Sequence, residues 1–364
     1  MNRILSIDSV DQLAVVEPGV MNADISLATS DHGLFYPPDP ASKTFCTIGG
    51  NVATNAGGLC CVKYGVTRDY VARLEVVLAD GRVIETGHDT VKGVAGLDLT
   101  SLFVGSEGTL GIVTRVTVRL RPEPDGAATM VAFFPSLGTA GEAVAAIATS
   151  GLQLSLMEIM DNATVVAVDD AYRMGLDRDA AALLLLQSDS PEPLRGGEVT
   201  RAAELCEKAG STFTAVTEDP DEAEGLLQAR RLAGPAIEEL GEGIWEDIAV
   251  PRSRIPDLIG AVERIGHEHD IATMTFGHAG DGNLHPRLVV PAGDCDAHHR
   301  ALRAFDAIVL TALDLGGTIA GEHGVGQIKA HLLEREIGTT NLDVQRSIKR
   351  ALDPQGLLNP GRWL

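Results

Sequence analysis

Gly277 to His285 reads GHAGDGNLH, and apolar runs flank it, IATMTF before it and LVV after it, up to Val290. Three glycines are interleaved with His278, Asp281, Asn283 and His285. Glycine reaches backbone conformations closed to other residues and lets a ligand approach the chain. A polar, glycine-rich segment between two apolar runs therefore predicts a site built where two strands meet. A partner stretch lies downstream in GGTIAGEHGVG, where Glu322 and His323 again sit between glycines. Together the two stretches offer imidazoles and a carboxylate, enough for a metal, a base, or both.

Composition bounds the rest. A chain of 364 residues, 45% of them hydrophobic, can bury a large core and fits two domains. No apolar run approaches the ~18 residues that span a bilayer. The N-terminal MNRILSIDSVDQ lacks the apolar core of a signal peptide. A soluble, cytoplasmic protein is the expectation. The net charge of −22 argues against nucleic acid and anionic membrane surfaces as partners. Cys46, Cys60, Cys61, Cys206 and Cys295 form no disulfide framework and contain no CxxC. The adjacent Cys60 and Cys61 read as small buried residues.

The first 122 residues are β-rich and glycine-punctuated. QLAVVEPG, DYVARLEVVLADGRVIETG and LGIVTRVTVRLRP read as strands, with ADGR as a tight hairpin turn. TIGGNVATNAGGLCCVKYG, from Thr47 to Gly65, holds too many Gly and Asn residues for a strand and predicts a long shaped loop. Its backbone N–H groups suit a phosphate or a polar ring edge, although an ordinary glycine-rich turn has the same composition. GSEGTLGIVT, from Gly105 to Thr114, is a weaker signal of the same kind, and no GxGxxG supports a Rossmann site.

After RPEPDG, a linker, strands alternate with amphipathic helices. TMVAFF, LSLMEIM, ALLLLQS and STFTAVTE read as strands, and helices are expected near 139–149, 162–174, 198–209 and 221–240. This pattern predicts an α+β domain with helices against a largely antiparallel sheet. Helices near 298–315, 328–336 and 342–352 follow, and the tail LDPQGLLNPGRWL is expected to dock, with Trp363 as an anchor.

His32, His88, His267, His269, His298, His299 and His331 read as surface or satisfied residues. His278 and His285 differ because one glycine-rich turn can fold them toward each other. Neutral imidazoles suit zinc and similar divalent metals, and Glu322 is the best carboxylate to complete a three-ligand open site. His323 would then stand beside a metal-bound substrate oxygen as a general base.

TIGGNVATNAGG with KYG, then VVLADGR, VGSEGTLGIVT, GHAGDGNLH, GEHGVGQIK and LNPG together resemble the FAD-linked 2-hydroxyacid dehydrogenases of the vanillyl-alcohol oxidase type. The nearest groups are the glycolate oxidase FAD-linked subunit, D-lactate dehydrogenase and D-2-hydroxyglutarate dehydrogenase. The resemblance implies an α+β fold. A partial PCMH-type FAD-binding domain (1–124) leads into an α+β cap domain with a largely antiparallel sheet (125–297). A C-terminal helical segment (298–364) then returns to the FAD domain. It implies flavin contacts at Pro37, Ile48, Gly49, Gly50, Asn51, Asn55, Gly57, Gly65, Val113 and Asn359. It also implies metal ligands at His278, His285 and Glu322, a catalytic base at His323, and substrate contacts from Asn283 and Arg230, with Arg231 as fallback. An arginine fork matches a carboxylate bidentately. The implied activity is oxidation of a D-2-hydroxy acid to the 2-oxo acid, with FAD and a divalent metal, zinc by its ligand set, as cofactors.

Two departures from the family pattern stand out. The family opens with a subdomain bearing a PRGGGTG-type pyrophosphate loop, whereas MNRILSID resembles the segment just after it. Weak or absent FAD binding by the chain as given is therefore expected. Where 2-hydroxyglutarate dehydrogenases carry a lysine for the second carboxylate, Trp245 stands here, which tilts the expectation toward glycolate or lactate. An iron–sulfur or electron-transfer flavoprotein partner would belong to another subunit, with the chain cytoplasmic or peripheral to the membrane through that partner. The other readings are an inactive scaffold subunit and a zinc-dependent hydrolase without flavin.

Overall fold

Short alternating stretches at the start of the chain make β1 (Ile4–Asp8) and β2 (Leu13–Val16), which pair as an antiparallel hairpin. The computed structural model describes residues 1–364. They form two units: Met1–Cys60, Tyr64–Glu123 and Glu322–Leu364 make one, and Cys61–Lys63 with Pro124–Gly321 make the other.

In the first unit β3 (Leu34–Phe35) precedes β4 (Val71–Val77), β5 (Val83–Gly87), β6 (Ile112–Arg119) and β7 (Arg121–Pro122). The main sheet runs β1-β2-β6-β4-β5, and β3 pairs with β7. The ADGR turn closes β4 onto β5, with Gly81 at φ +84°. Alternation sets the two faces of β4. Leu74 and Val76 point into a core shared with Ile25, Ile48, Val52, Val116 and Val118. Arg73 and Glu75 point outward, where the Arg115 Nη2 atom bridges Glu75 (2.6 Å) and Glu85 (2.7 Å).

Thr47 to Gly65 is not one long loop, as its composition suggested. Ile48–Thr54 is a helix: the Thr47 hydroxyl caps it by accepting the Gly50 N–H at 3.2 Å, and Asn55 ends it at φ 54°. Glycine earns its place here by contact, because a Cβ at Gly49 would stand 2.7 Å from the Pro18 Cβ. The tail is docked as expected. Its hold comes mainly from Asp353, whose carboxylate accepts the Leu357 and Leu358 N–H groups, and from Lys349, which bonds Asp353, Thr109 O and Leu358 O. Trp363 is only half-buried. The five cysteines are free thiols, and Cys60 and Cys61 are half-buried rather than buried.

In the second unit every strand ladder is antiparallel. Its strands are β8 (Ala128–Phe134), β9 (Leu156–Asp161), β10 (Ala182–Ser188), β11 (Phe213–Thr217), β12 (Glu242–Trp245), β13 (Ile248–Ala249), β14 (Ala272–His278) and β15 (Asn283–Val290). They run β11-β8-β10-β9-β14-β15-β12, with β13 also on β15. The helix expected over 221–240 is two, Pro220–Arg231 and Ala233–Glu238, divided at Leu232 just ahead of Pro235. Ile255–His269 is a helix that the expectations above omit. Pro256 opens it, Ile255, Leu258, Ile259, Val262 and Ile265 form its buried stripe, and Asp270 ends it at φ 54°. Helix Cys295–Asp314 packs on β15 in this same unit.

Candidate active site

The hairpin of β14 and β15 builds the centre of the second unit. Cross-strand pairs are His278 with Asn283, Phe276 with His285, and Met274 with Arg287. Because side chains alternate, these six share one face of the sheet, while Leu284 and Leu288 are buried on the other. The turn between them closes through Gly282 N–H to His278 O at 2.9 Å. Gly282 sits at φ +87°, and a Cβ there would strike Val250 O, so only glycine fits.

His278 and His285 meet as the glycine-rich turn predicted: their Nε2 atoms are 3.2 Å apart and their rings are edge-on. The residue that orients them was not foreseen. Glu158, from the neighbouring β9, is fully buried and lies beside His278 in the strand register. One of its oxygens bonds His278 Nδ1 at 2.6 Å, and the other accepts Arg230 Nε at 2.6 Å. Burying a carboxylate demands such partners. Donating its Nδ1–H to Glu158 leaves His278 with the Nε2 lone pair aimed at His285. Two imidazole nitrogens on one tetrahedral ion at a Zn–N distance of about 2.0–2.1 Å would stand roughly 3.3 Å apart. The pair therefore fits a divalent cation. Asp247 is a further buried carboxylate here, its Oδ1 3.7 Å from His285 Nδ1 and 2.8 Å from Asn283 Nδ2. Asn283 Nδ2 also donates to Ile248 O, so the Asn283 amide is left with one buried acceptor, Oδ1, that bonds nothing.

Arg230 is buried, with Cζ 4.5 Å from the Phe276 ring centre. Arg231 is exposed and pairs with Glu224 on its own helix. A second arginine, Arg287, occupies the same sheet face; burial pushes its pKa down to about 8, against the opposing pull of the Glu238 carboxylate and with a smaller push from Arg230. It still carries its charge at neutral pH.

In the first unit, Gly49, Val113 and Asn359 line a cavity of about 470 Å³ with Thr47, Gly108 and Gly111. Ile48 and Asn51 do not line it and are buried in the core; Asn51 is held by Asn22 (2.9 Å) and Cys46 (3.3 Å). The first N–H groups of helix Ile48–Thr54 already donate to Val20 O, Pro18 O and Thr47 Oγ1. They are spent on the fold and not offered to a phosphate. Apolar walls and glycine backbone suit a flat ring or its sugar instead. Asn55 accepts the Arg68 N–H, and Gly65 turns at φ +84° against Asp69. Pro37 and Gly57 are buried.

Glu322 and His323 belong to this unit, on an irregular loop, with His323 Nε2 3.7 Å from Glu322 Oε1 and its side chain half-exposed. Glu107 of the GSEGTLG stretch pins that loop. Its carboxylate accepts the N–H groups of Val325 (2.7 Å) and Gly326 (3.1 Å) and faces Arg362 at 3.4 Å. Its carbonyl accepts from Asn359, and its own N–H goes to Ala53 O. Glu107 holds φ 51°, a conformation unusual for a non-glycine residue. The glycines around it were legible; that the acidic residue among them organises three segments was not. Glu107→Ala is expected to strip two N–H acceptors, at about 1–3 kcal/mol for each group left unsatisfied. Hydrogen exchange should then show the Val325 and Gly326 amides losing protection; unchanged protection would contradict this role.

The sequence matches the FAD linked oxidases, C-terminal domain, over residues 123–363, and an FAD binding domain over residues 1–87. It is 43% identical over 363 residues to glycolate oxidase subunit GlcD of Bacillus subtilis, covering 100% of this chain and 77% of that protein. It is 33% identical over 360 residues to D-lactate dehydrogenase of Archaeoglobus fulgidus, covering 98% of this chain and 78% of that one. The fold matches p-cresol methylhydroxylase with a TM-score of 0.81 at 16% identity, covering 100% of this chain and 78% of that chain. That likeness shows a PCMH-type fold. No helix is long and apolar enough to cross a membrane. The chain belongs to the FAD-linked oxidases, as an FAD-dependent oxidoreductase acting on CH–OH groups.

Proposed function

We propose that the protein oxidises a D-2-hydroxy acid of the glycolate or lactate kind to the 2-oxo acid. The observation that carries this reading is the pair of converging imidazoles, oriented by Glu158, with the buried Arg230 on the same carboxylate. The names of the relatives, a glycolate oxidase subunit and a D-lactate dehydrogenase, support the substrate class.

Glu158 engages Arg230 through Nε, so the Nη1–Nη2 end is the end available to grip the C1 carboxylate. His278, His285 and Glu322 are the proposed metal ligands, and Asn283 is a hydrogen-bonding contact for the substrate. His323 takes the hydroxyl proton as C2 gives up its hydride. When bound, FAD supplies the hydride acceptor and the divalent ion polarises the hydroxyl. Gly49, Val113 and Asn359 would border the flavin, with Ile48, Gly50, Asn51, Asn55, Gly57, Gly65 and Pro37 shaping the wall behind them. A separate iron–sulfur or flavoprotein subunit is the proposed electron acceptor.

The test is anaerobic mixing of flavin-loaded protein with D-lactate or glycolate, followed at the flavin absorbance. Bleaching that disappears after chelation and returns with zinc is expected. Bleaching indifferent to chelation would remove the metal from the reading, and no bleaching by any 2-hydroxy acid would remove the reaction.

A further inference from the structure

Each imidazole of the converging pair has a carboxylate directly across from it in the sheet. For His278 it is Glu158, its cross-strand partner on β9. For His285 the register supplies Asp247. β12 pairs Trp245 with Arg287, and β13 pairs Ile248 with Leu284. Between those pairs Glu246 stands opposite Pro286, and Asp247 opposite His285. Pro286 has no N–H to give, so the ladder breaks there. The Glu246 N–H still donates to Pro286 O at 3.0 Å, which keeps the register across the break. Directly opposite residues project from one face, so Asp247 falls beside His285.

Asp247 is 1% exposed, and its neighbours fix its place. Its N–H donates to Glu246 Oε1 at 2.8 Å. Its Oδ1 accepts from Asn283 Nδ2 at 2.8 Å and stands 3.7 Å from His285 Nδ1. A Cβ at Gly321 would lie 3.0 Å from that oxygen and 1.9 Å from Asn283 Nδ2, so only glycine lets the backbone close over the pair. Burying a carboxylate opposes folding, so one set against the Nδ1 edge of an imidazole points to a role. At 3.7 Å that contact is an ion-pair distance and not a hydrogen bond, which makes it weaker than the 2.6 Å bond from His278 to Glu158.

We propose that Asp247 is the positioning residue of His285, serving its Nδ1 edge as Glu158 serves that of His278. This rests on the reading above that the two imidazoles hold a divalent ion. Asp247 favours the tautomer with the proton on Nδ1, and so turns the Nε2 lone pair of His285 toward His278. A carboxylate behind a ligating imidazole fixes the ring and makes its other nitrogen a better donor to the metal. Through its bond to Nδ2 the same oxygen also orients the Asn283 amide. Asp247 is not itself a ligand in this assignment.

The test is metal binding by the full chain, with Asp247→Asn compared to the parent and to His278→Ala. Zinc is titrated in competition with a chromophoric chelator, and cobalt(II) is titrated for its visible absorption bands. The asparagine keeps the shape and an acceptor for Asn283 but removes the charge. It should bind zinc about tenfold more weakly, the lower end of the 10–100-fold range for losing such a partner, because the contact is longer than a hydrogen bond. Its cobalt bands should keep the parent's positions, and its metal-free melting temperature should not fall. If Asp247→Asn does not fold, Asp247→Ser carries the same comparison. Zinc affinity equal to the parent's would overturn the proposal. Shifted cobalt bands, or a loss as large as that of His278→Ala, would make Asp247 a ligand and also overturn it. A parent that binds no zinc, or binds it equally without His278, would remove the metal reading and this proposal together; zinc binding that needs His278 but not Asp247 removes the proposal alone.

Discussion

Replacing His323 by alanine is expected to slow flavin reduction by about 10²–10⁴-fold, the range for loss of a general base, with no change in FAD affinity relative to the parent. His323 lies on the loop that Glu107 fastens through Val325 and Gly326. Its imidazole is half-exposed and 3.7 Å from Glu322, so the substitution opens no core cavity. Rate loss without a fall in melting temperature would mark a chemical role. Single-turnover reduction with D-lactate under anaerobic conditions is the measurement, and added imidazole should restore part of the rate. Normal reduction in the variant would sink the assignment of the base.

Glu158→Ala is expected to lower both stability and turnover. The carboxylate is fully buried and joins Arg230 to His278, so its loss leaves a buried cation and an imidazole N–H without their acceptor. Breaking a buried pair from one side costs about 3–5 kcal/mol, which for a unit of this size shifts the melting temperature by roughly 10 °C. Turnover should fall further than folding alone explains, because His278 loses the bond that sets its tautomer and Arg230 loses its orientation. Glu158→Gln keeps the shape and one acceptor oxygen and should melt between the two. Scanning calorimetry on the three proteins checks the order; an alanine variant that melts with the parent would show that Glu158 carries no such load.

Much of the site was legible because glycine and histidine announce themselves. GHAGDGNLH could hardly be other than a turn between strands, and the pairing of His278 with His285 follows from that turn. The spacing of Asn283, His285 and Arg287 at every second residue already put them on one face of β15, yet Arg287 was passed over because a lone arginine in an apolar strand has no motif. Glu158 was hidden for the same reason, within the apolar run LSLMEIM. Glycine content misled once: Thr47 to Gly65 looked like a loop, whereas the Thr47 cap and the contact of Gly49 with Pro18 make its first part a helix.

Local sequence determined the elements: strands from alternation, helix ends from caps, and an antiparallel α+β class from the spacing of both. It also determined the residue types available for chemistry, through motifs long enough to carry the family. Only the tertiary structure decided which charges meet. Strand register is set by long-range pairing, and that register brings Glu158 beside His278 and Arg287 beside Trp245. A charge has no meaning for function until burial and neighbours fix what it must bind, and neither is written in a single stretch of chain. Glu158 shows this most plainly: in sequence it is one acid inside an apolar run, and in the fold it is the buried carboxylate that joins Arg230 to His278.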